Sequence, residues 1–186
     1  MFAALLDTCV LWPSAQRDFL LSLAVEGMYR PLWSDAVLDE LHRTESTKRR
    51  ERHGDSASAA EAFATTLVAR MRTSFEDALV TGWEVVAPQG LPDPDDEHVL
   101  AAAIVGGAGA LVTENIRDFP DGLVPDRIRV LSARRFITDT VGVDPDRAAR
   151  ALEAMAQRRT TTVTDVMTTL EGRYGLHDAM AVIRSR

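Results

Sequence analysis

The segment spanning residues 91–119 constrains the fold most strongly, because oxygen-bearing side chains stand at both of its ends and apolar residues fill its middle. Asp93 followed by Pro94 predicts the start of a helix, since aspartate caps free N–H groups and proline fits the first helical position. Asp96 then falls in the first turn, above an apolar stripe that points into the core. We therefore expect the Asp96 carboxylate to be held in place.

A short strand and a polar loop follow this helix. The glycines at 106–109 predict its end, and the apolar residues 110–113 predict a strand inside a sheet. Asn115 and Asp118 come next and can share one face of a tight turn. In an open α/β sheet, such loops lie at the carboxyl ends of the strands, where ligand sites are built.

Two earlier segments predict further acids at the same edge of the sheet. Residues 2–6 form an apolar run of strand length that ends at Asp7, with Thr8 immediately after it. Ser34 predicts the N-cap of a helix that carries Glu40 one position away from its apolar stripe. We expect Asp7 at a strand end and Glu40 turned toward a cleft.

Strands and helices alternate along most of the chain. Helical spacing of apolar residues predicts helices over 14–26 and 57–75, whereas residues 80–86 and 128–131 predict short strands. The polar stretch 49–58 predicts a loop. This alternation predicts a three-layer α/β/α fold, in which helices cover both faces of a central, mainly parallel sheet.

Length and composition bound the domain organisation. The 186 residues, 46% of them hydrophobic, suit one domain with a proper core, and we divide the chain into an α/β domain at 1–140 and a helical C-terminal extension of unknown role at 141–186. No apolar run is long enough for a membrane span, and the first residues lack the basic start of a signal peptide. The single cysteine, Cys9, suits a reducing cytoplasm, and we expect it to fill space in the core.

Four acids that lie far apart in the sequence indicate a metal site, because residues of this set sit at predicted strand ends or a helix start that face the same edge of the sheet. Carboxylates brought together repel one another, so a stable cluster requires cations. Ligands that are all oxygen favour Mg²⁺ or Mn²⁺ over Zn²⁺. The net charge of −7 argues against broad adhesion to nucleic acid but agrees with an acidic pocket. The four acids are Asp7, Glu40, Asp96 and Asp118.

Several polar neighbours have structural interpretations. Asp93 and Asp95 suit the start of a helix, where the helix dipole favours acids. His42 and His98 are interpreted as structural histidines with satisfied hydrogen bonds. None of these residues is needed to explain a metal site.

Four segments of the chain occur together in one known family. They are Leu-Leu-Asp-Thr-Cys-Val-Leu at 5–11, Trp33-Ser34 leading to Glu40-Leu41, Asp-Pro-Asp-Asp-Glu-His-Val-Leu-Ala-Ala-Ala at 93–103, and Val-Thr-Glu-Asn-Ile-Arg-Asp-Phe-Pro at 112–120. Their combination resembles the PIN domain, and most closely the PIN-domain toxins of VapBC type. The resemblance covers residues 1–137, so it implies a PIN-like nuclease domain at 1–140.

The resemblance also implies a function and partners. Such toxins are Mg²⁺- or Mn²⁺-dependent endoribonucleases of type II toxin–antitoxin pairs, so the expected partners are an RNA substrate, a cognate antitoxin and a second copy in a homodimer. Glu45 or Asp39 competes with Glu40 for its place in the alignment. The implied catalytic and metal-binding residues are Asp7, Glu40, Asp96 and Asp118, with Asn115, Thr113 and Thr8 in support.

A set of basic residues allows two interpretations, a solvated surface or a patch that contacts RNA phosphates. The set comprises Arg30, Lys48, Arg49, Arg50 and Arg52.

Other functions remain alternatives. Phosphoryl transfer through an aspartyl-phosphate also uses an aspartate after the first strand, but Cys9 stands where that chemistry needs a second acid, and no suitable lysine follows Thr113. A non-catalytic PIN-like binding module is expected where one acid is missing, and none is. A DNA-directed nuclease stays open, because metal and phosphate chemistry does not read the 2′-hydroxyl group.

Overall fold

The computed structural model describes residues 2–186, and its centre is a five-stranded sheet in which all strands run parallel. The sheet has the spatial order β3-β2-β1-β4-β5, so the chain fills one side of β1 first and then the other. In such a sheet, ligands bind at the carboxyl edge beside the strand where the order reverses. The strands are β1 (Ala3–Leu6), β2 (Arg30–Ser34), β3 (Leu79–Val80), β4 (Ala110–Val112) and β5 (Arg129–Leu131).

Helices pack around this sheet, and three short 3₁₀ turns occur between elements, at Trp83–Val85, Pro94–Asp96 and Ile116–Asp118. The α-helices are α1 (Thr8–Leu11), α2 (Ser14–Val25), α3 (Asp35–His53), α4 (Ala57–Ser74), α5 (Glu97–Val105), α6 (Ala133–Val143), α7 (Pro145–Arg158), α8 (Val163–Tyr174) and α9 (His177–Arg184). The architecture confirms the predicted α/β fold with a parallel sheet flanked by helices and a C-terminal set of helices.

Local sequence signals explain where the elements around the sheet begin. The Ser34 side chain accepts a hydrogen bond from Val37 N and caps α3, as predicted. The Asp93 side chain likewise accepts from Asp95 N, and Pro94 follows at the first position of the turn that leads into α5. These two caps set the register of the segments that carry Glu40 and Asp96.

Two predicted elements are wrong. Residues 80–86 do not form a strand beyond Val80, because Gly82 adopts a positive φ of 73° and a 3₁₀ turn follows it. The stretch 49–58 is helical as far as His53, and the chain leaves α3 only at Gly54, in the left-handed conformation. The loop prediction failed because the charged residues of this stretch lie on an exposed face of α3, and their polar composition is also that of a loop.

The helix α5 lies very close to the sheet. A Cβ atom at Gly106 would stand 2.8 Å from Val80 Cγ2 and 2.9 Å from Leu32 Cδ1, so any larger residue there would force these side chains to move. Residues Val99 to Ala103 are all buried. This close packing holds the start of α5, and with it Asp96, against the carboxyl side of the sheet.

The C-terminal helices share the hydrophobic core of the sheet domain. Leu152 and Met155 of α7 are buried in the same cluster as Leu5 of β1. Arg158 and Arg159 both form salt bridges with Asp18 on α2. The boundary at residues 140 and 141 stays a prediction. Within residues 2–186, no helix has the length and apolarity required to cross a membrane.

Candidate active site

Asp7 stands at the carboxyl end of β1, and three donors fix its carboxylate. Its Oδ1 accepts from Thr8 N (2.6 Å), while its Oδ2 accepts from Thr113 Oγ1 (2.7 Å) and from the Cys9 thiol (3.1 Å). Only 4% of Asp7 is exposed. It therefore caps α1 and also presents a carboxylate of fixed orientation at the sheet edge.

Glu40 is brought to the same edge by α3. Thr8 Oγ1 donates to Glu40 Oε2 over 2.9 Å. The Thr8 hydroxyl oxygen also lies 3.2 Å from the backbone oxygen of Val37. Because Thr8 follows Asp7 directly, its hydroxyl links the first strand to the helix that carries Glu40. The hydroxyls of Thr8 and Thr113 thus each hold a carboxylate.

Asp96 is placed differently from these two acids. It ends a 3₁₀ turn and begins α5, and its Oδ2 is buried without a hydrogen-bond partner in residues 2–186. Burial is the largest cause that raises its pKa from 3.8 to about 7, and the charges of Asp7, Asp93, Asp118 and Glu40 raise it further. The sequence led us to expect a carboxylate that is held in place; within residues 2–186 no hydrogen-bond donor reaches its Oδ2, so burial and not a hydrogen bond at this atom fixes it.

The last two predicted residues lie in the loop after β4. Asn115 precedes the 3₁₀ turn and Asp118 ends it, and Asp118 N donates to Asn115 O (2.9 Å). Asn115 borders the cavity beside Asp96, whereas Asp118 acts on Asp96 through its charge. The turn that the sequence predicted is therefore present.

Asp7, Glu40, Asp96 and Asn115 border a cavity of about 660 Å³, which we call the acidic cavity. Its walls hold six carboxylates against a single arginine, so an anionic substrate is repelled unless a cation is bound. The lining residues are Asp7, Cys9, Ala36, Asp39, Glu40, Arg43, Asp93, Asp95, Asp96, His98 and Asn115.

The residues of the acidic cavity fit a divalent cation. Within residues 2–186, no three acidic, histidine or cysteine side chains are already gathered around one point. The buried, unpartnered Oδ2 of Asp96 nevertheless leaves one ligand oxygen free, and repulsion among the carboxylates is the effect that a cation relieves. An all-oxygen donor set suits Mg²⁺ or Mn²⁺.

Three residues that line the acidic cavity were either interpreted differently from the sequence or not interpreted at all. Cys9 packs against the core but is only half-buried; it also donates to Asp7, and its pKa is raised to about 12, first by burial and then by the Asp7 charge. His98 is not satisfied, since its Nδ1 is buried without a partner and burial lowers its pKa. Arg43 had no local signal, because only the packing of α3 turns it toward the site.

The basic residues considered for RNA contact separate into three groups. Lys48 and Arg49 are engaged in salt bridges with Glu45 and Asp55. Arg30 begins β2 and so lies at the amino edge of the sheet, opposite the acidic cavity. The remaining two are exposed and form no salt bridge in the part of the chain that the structure describes; they are Arg50 and Arg52.

Glu45 does not compete with Glu40 for the site. It is 1% exposed, and its Oε1 accepts from Arg17 (2.6 Å) and Lys48 (2.5 Å) inside the protein. Asp39 does border the acidic cavity, although it is exposed and has no hydrogen bond to Thr8 such as Glu40 has.

Comparison with known proteins identifies one family. The family model described as PIN domain matches residues 3–117, which is more than half of the chain. The match includes Asp7, Glu40 and Asp96 and ends one residue before Asp118. No curated protein and no solved structure shows a significant match.

Proposed function

The chain belongs to the PIN domain family, whose members are generally nucleases, and we propose that it is a metal-dependent endoribonuclease acting as the toxin of a type II, VapBC-like toxin–antitoxin pair. The observation that carries the nuclease proposal is the buried, unpartnered Oδ2 of Asp96, a residue that lines one cavity together with Asp7 and Glu40 and whose pKa their charges raise. A carboxylate in this state is stabilised by a cation, and PIN nucleases usually use divalent metals.

Four acids would hold one or two Mg²⁺ or Mn²⁺ ions. When bound, such a cation activates water for attack on phosphorus and neutralises charge that develops on the phosphodiester. The ligand set proposed is Asp7, Glu40, Asp96 and Asp118.

The neighbouring hydroxyl groups act by positioning these acids. Thr113 and Thr8 donate to Asp7 and Glu40, and each hydrogen bond leaves other lone pairs of the carboxylate available. The Cys9 thiol, whose pKa is raised to about 12, stays protonated and is a third donor to Asp7. Asn115 N donates to Thr113 Oγ1 (3.0 Å), so the loop after β4 fixes the threonine that orients Asp7.

Substrate affinity needs basic side chains at the border of the acidic cavity and beyond it, because the carboxylates of the cavity repel phosphate. Arg43 borders the cavity and also an adjoining pocket of about 340 Å³ that contains Trp12 and Arg52. The Arg52 guanidinium lies 4.9 Å from the centre of the Trp12 ring. We assign phosphate contacts to Arg43, Arg50 and Arg52, whereas Lys48 and Arg49 hold α3 in place.

The toxin role and the two protein partners, a cognate antitoxin and a second copy in a homodimer, rest on the sequence resemblance to VapBC toxins. A cytoplasmic location rests on the single cysteine. The presence of all four acids disfavours the non-catalytic binding module, whereas the acidic cavity does not distinguish RNA from DNA.

The test is cleavage of a mixed RNA pool and a matched single-stranded DNA pool by the purified chain in Mg²⁺ or Mn²⁺. We expect cleavage of RNA by the wild type and by Asp139→Asn, a control acid on α6 that does not line the acidic cavity. The double variant Asp7→Asn/Asp96→Asn is expected to lose cleavage. Equal cleavage by the double variant would contradict the assigned site, and preferential cleavage of DNA would favour the alternative nuclease.

A further inference from the structure

A second cavity, of about 510 Å³, adjoins the acidic cavity on the side of the C-terminal helices. The two cavities share Cys9, so they meet at the end of β1. The residues that line it come from α1, α2, the loop after β4, the start of α6 and the end of α8. They are Cys9, Pro13, Gln16, Glu114, Ser132, Arg134, Arg173, Tyr174 and Gly175, and we call this surface the basic groove.

Two arginines give the groove its charge. Arg134 and Arg173 are exposed, and neither forms a salt bridge within residues 2–186. Every other arginine between the start of α7 and the C-terminus has a carboxylate partner somewhere in residues 2–186: these are Arg147, Arg150, Arg158, Arg159, Arg184 and Arg186. Among the arginines of this segment, Arg173 is therefore the one without a carboxylate partner in the described residues, and it lines the cavity next to the acidic cavity.

The one acid that lines the groove is already engaged. Glu114 Oε1 accepts from Ala133 N, the first backbone donor of α6, over 3.1 Å. The start of this 11-residue helix adds a partial positive charge to the groove, since the helix dipole has its positive end there. The basic groove thus has the opposite electrostatic character to the acidic cavity that it joins.

The groove also contains an aromatic ring at a fixed place. Tyr174 is half-buried and ends α8, directly before Gly175, which has a φ of +65°. Arg134 Cδ lies 3.7 Å from the position that a Cβ of Gly175 would occupy, so α6 and α8 meet there. Cations that alternate with aromatic rings are the means by which proteins bind single-stranded nucleic acid.

We propose that the basic groove binds the segment of single-stranded RNA that extends from the acidic cavity, a role that rests on the proposed nuclease function. Arg134 and Arg173 contact phosphates, and the Tyr174 ring stacks on a base. The C-terminal extension then has a function: α8 supplies Arg173 and Tyr174 to substrate binding. The basic groove attracts and holds the negatively charged RNA, while one phosphodiester enters the acidic cavity. The acidic cavity repels phosphate when no cation is bound.

The experiment measures binding of a fluorescein-labelled uridine 12-mer to the full chain carrying Asp7→Asn in Mg²⁺, by anisotropy across a salt series. Each phosphate contact in a single strand contributes about 0.7 to the slope of log K against log salt, so Arg134→Gln/Arg173→Gln should lower the slope by about 1.4. Tyr174→Leu should weaken binding about fivefold with the slope unchanged, because stacking is not ionic. The matched control is Arg135→Gln, which removes a neighbouring charge that is paired with Asp139.

Equal slopes for the double arginine variant and for Arg135→Gln would overturn the groove's role, while the separate cleavage assay would still decide the nuclease proposal. Unchanged RNA binding together with weaker binding of poly-glutamate would overturn it in favour of an acidic protein partner. Absence of RNA binding in every variant would also overturn the groove's role. The RNA cleavage assay with the wild type would then show separately whether the nuclease proposal is wrong as well. Thermal unfolding midpoints should match the parent protein, since both arginines are exposed.

Discussion

Thr113 Oγ1 donates a hydrogen bond to Asp7 Oδ2 over 2.7 Å and so joins the ends of two adjacent parallel strands, β4 and β1. Both residues are almost completely buried. The Asp7 carboxylate is consequently held by a residue 106 positions away, and its direction depends on the register of the central strand pair. This dependence makes Thr113 a positioning residue for the proposed metal site.

Thr113→Val should lower kcat for RNA cleavage about tenfold, since a hydrogen bond to a charged group contributes about 1.5–3 kcal/mol. Thr113→Ser should restore most of the activity, because serine retains the donor. The measurement is single-turnover cleavage at saturating Mn²⁺ for the three proteins. Full activity in the valine variant at unchanged stability would show that Thr8 N and Cys9 suffice to orient Asp7.

The sequence predicted those parts of the site that depend on local chemistry. Asp7 after an apolar run and the Asp93-Pro94 cap both place acids at the carboxyl edge of a parallel sheet, where the structure has them. The free Oδ2 of Asp96 and the lack of a partner for Arg173 had no such signal. Whether a side chain has a partner depends on contacts between distant segments, which one segment's pattern does not contain.

Asp96→Asn should stabilise the metal-free protein, and the gain should depend on pH. The pKa of Asp96 is raised from 3.8 to about 7 in the folded state, so the unfolded chain loses its proton first as pH rises. Stability of the wild type therefore falls between these two pH values and is level above them. The expected gain in the variant is near zero at pH 3.5 and about 1 kcal/mol at pH 8, kept small because Asp96 is only partly buried and solvent in the open cavity screens the repulsion. Urea unfolding of both proteins at both pH values measures this gain in stability. An equal gain at pH 8 and at pH 3.5 would contradict the explanation that the raised pKa of Asp96 destabilises the wild type.

Mn²⁺ should raise the unfolding midpoint of the wild type at pH 8 more than that of Asp96→Asn. A cation that binds only the folded state stabilises it by about 2.7 kcal/mol at 100 times its Kd. Removal of a ligand oxygen weakens binding and shrinks this gain. The measurement is differential scanning fluorimetry over a Mn²⁺ series, with Asp139→Asn as the control acid. Identical shifts in all three proteins would place the cation elsewhere.

Cys9 should react very slowly with iodoacetamide in the folded protein. Burial, followed by the Asp7 charge, raises its pKa from 9.0 to about 12, whereas the unfolded chain has the ordinary thiol pKa. At pH 8 the thiolate fraction, and with it the rate, should be roughly 1,000-fold lower in the folded state. Cys9 is the only cysteine, so mass spectrometry reports this site alone. Asp7→Asn should accelerate the reaction in part, since burial is the larger cause; an unchanged rate would remove Asp7 from the explanation.

Glu45→Gln and Glu40→Gln should affect different properties, although the two acids lie five positions apart on α3. Glu45 is 1% exposed between Arg17 and Lys48, and burial lowers the Lys48 pKa while the Glu45 charge raises it. Loss of the Glu45 charge leaves Arg17 buried without its counter-charge, which should destabilise the fold by about 3 kcal/mol. Glu40→Gln should abolish cleavage, yet change stability by less than about 1 kcal/mol, because its carboxylate borders an open cavity. Urea unfolding and RNA cleavage of both variants separate the roles. A stable Glu45→Gln protein without activity would instead make Glu45 the functional acid of α3.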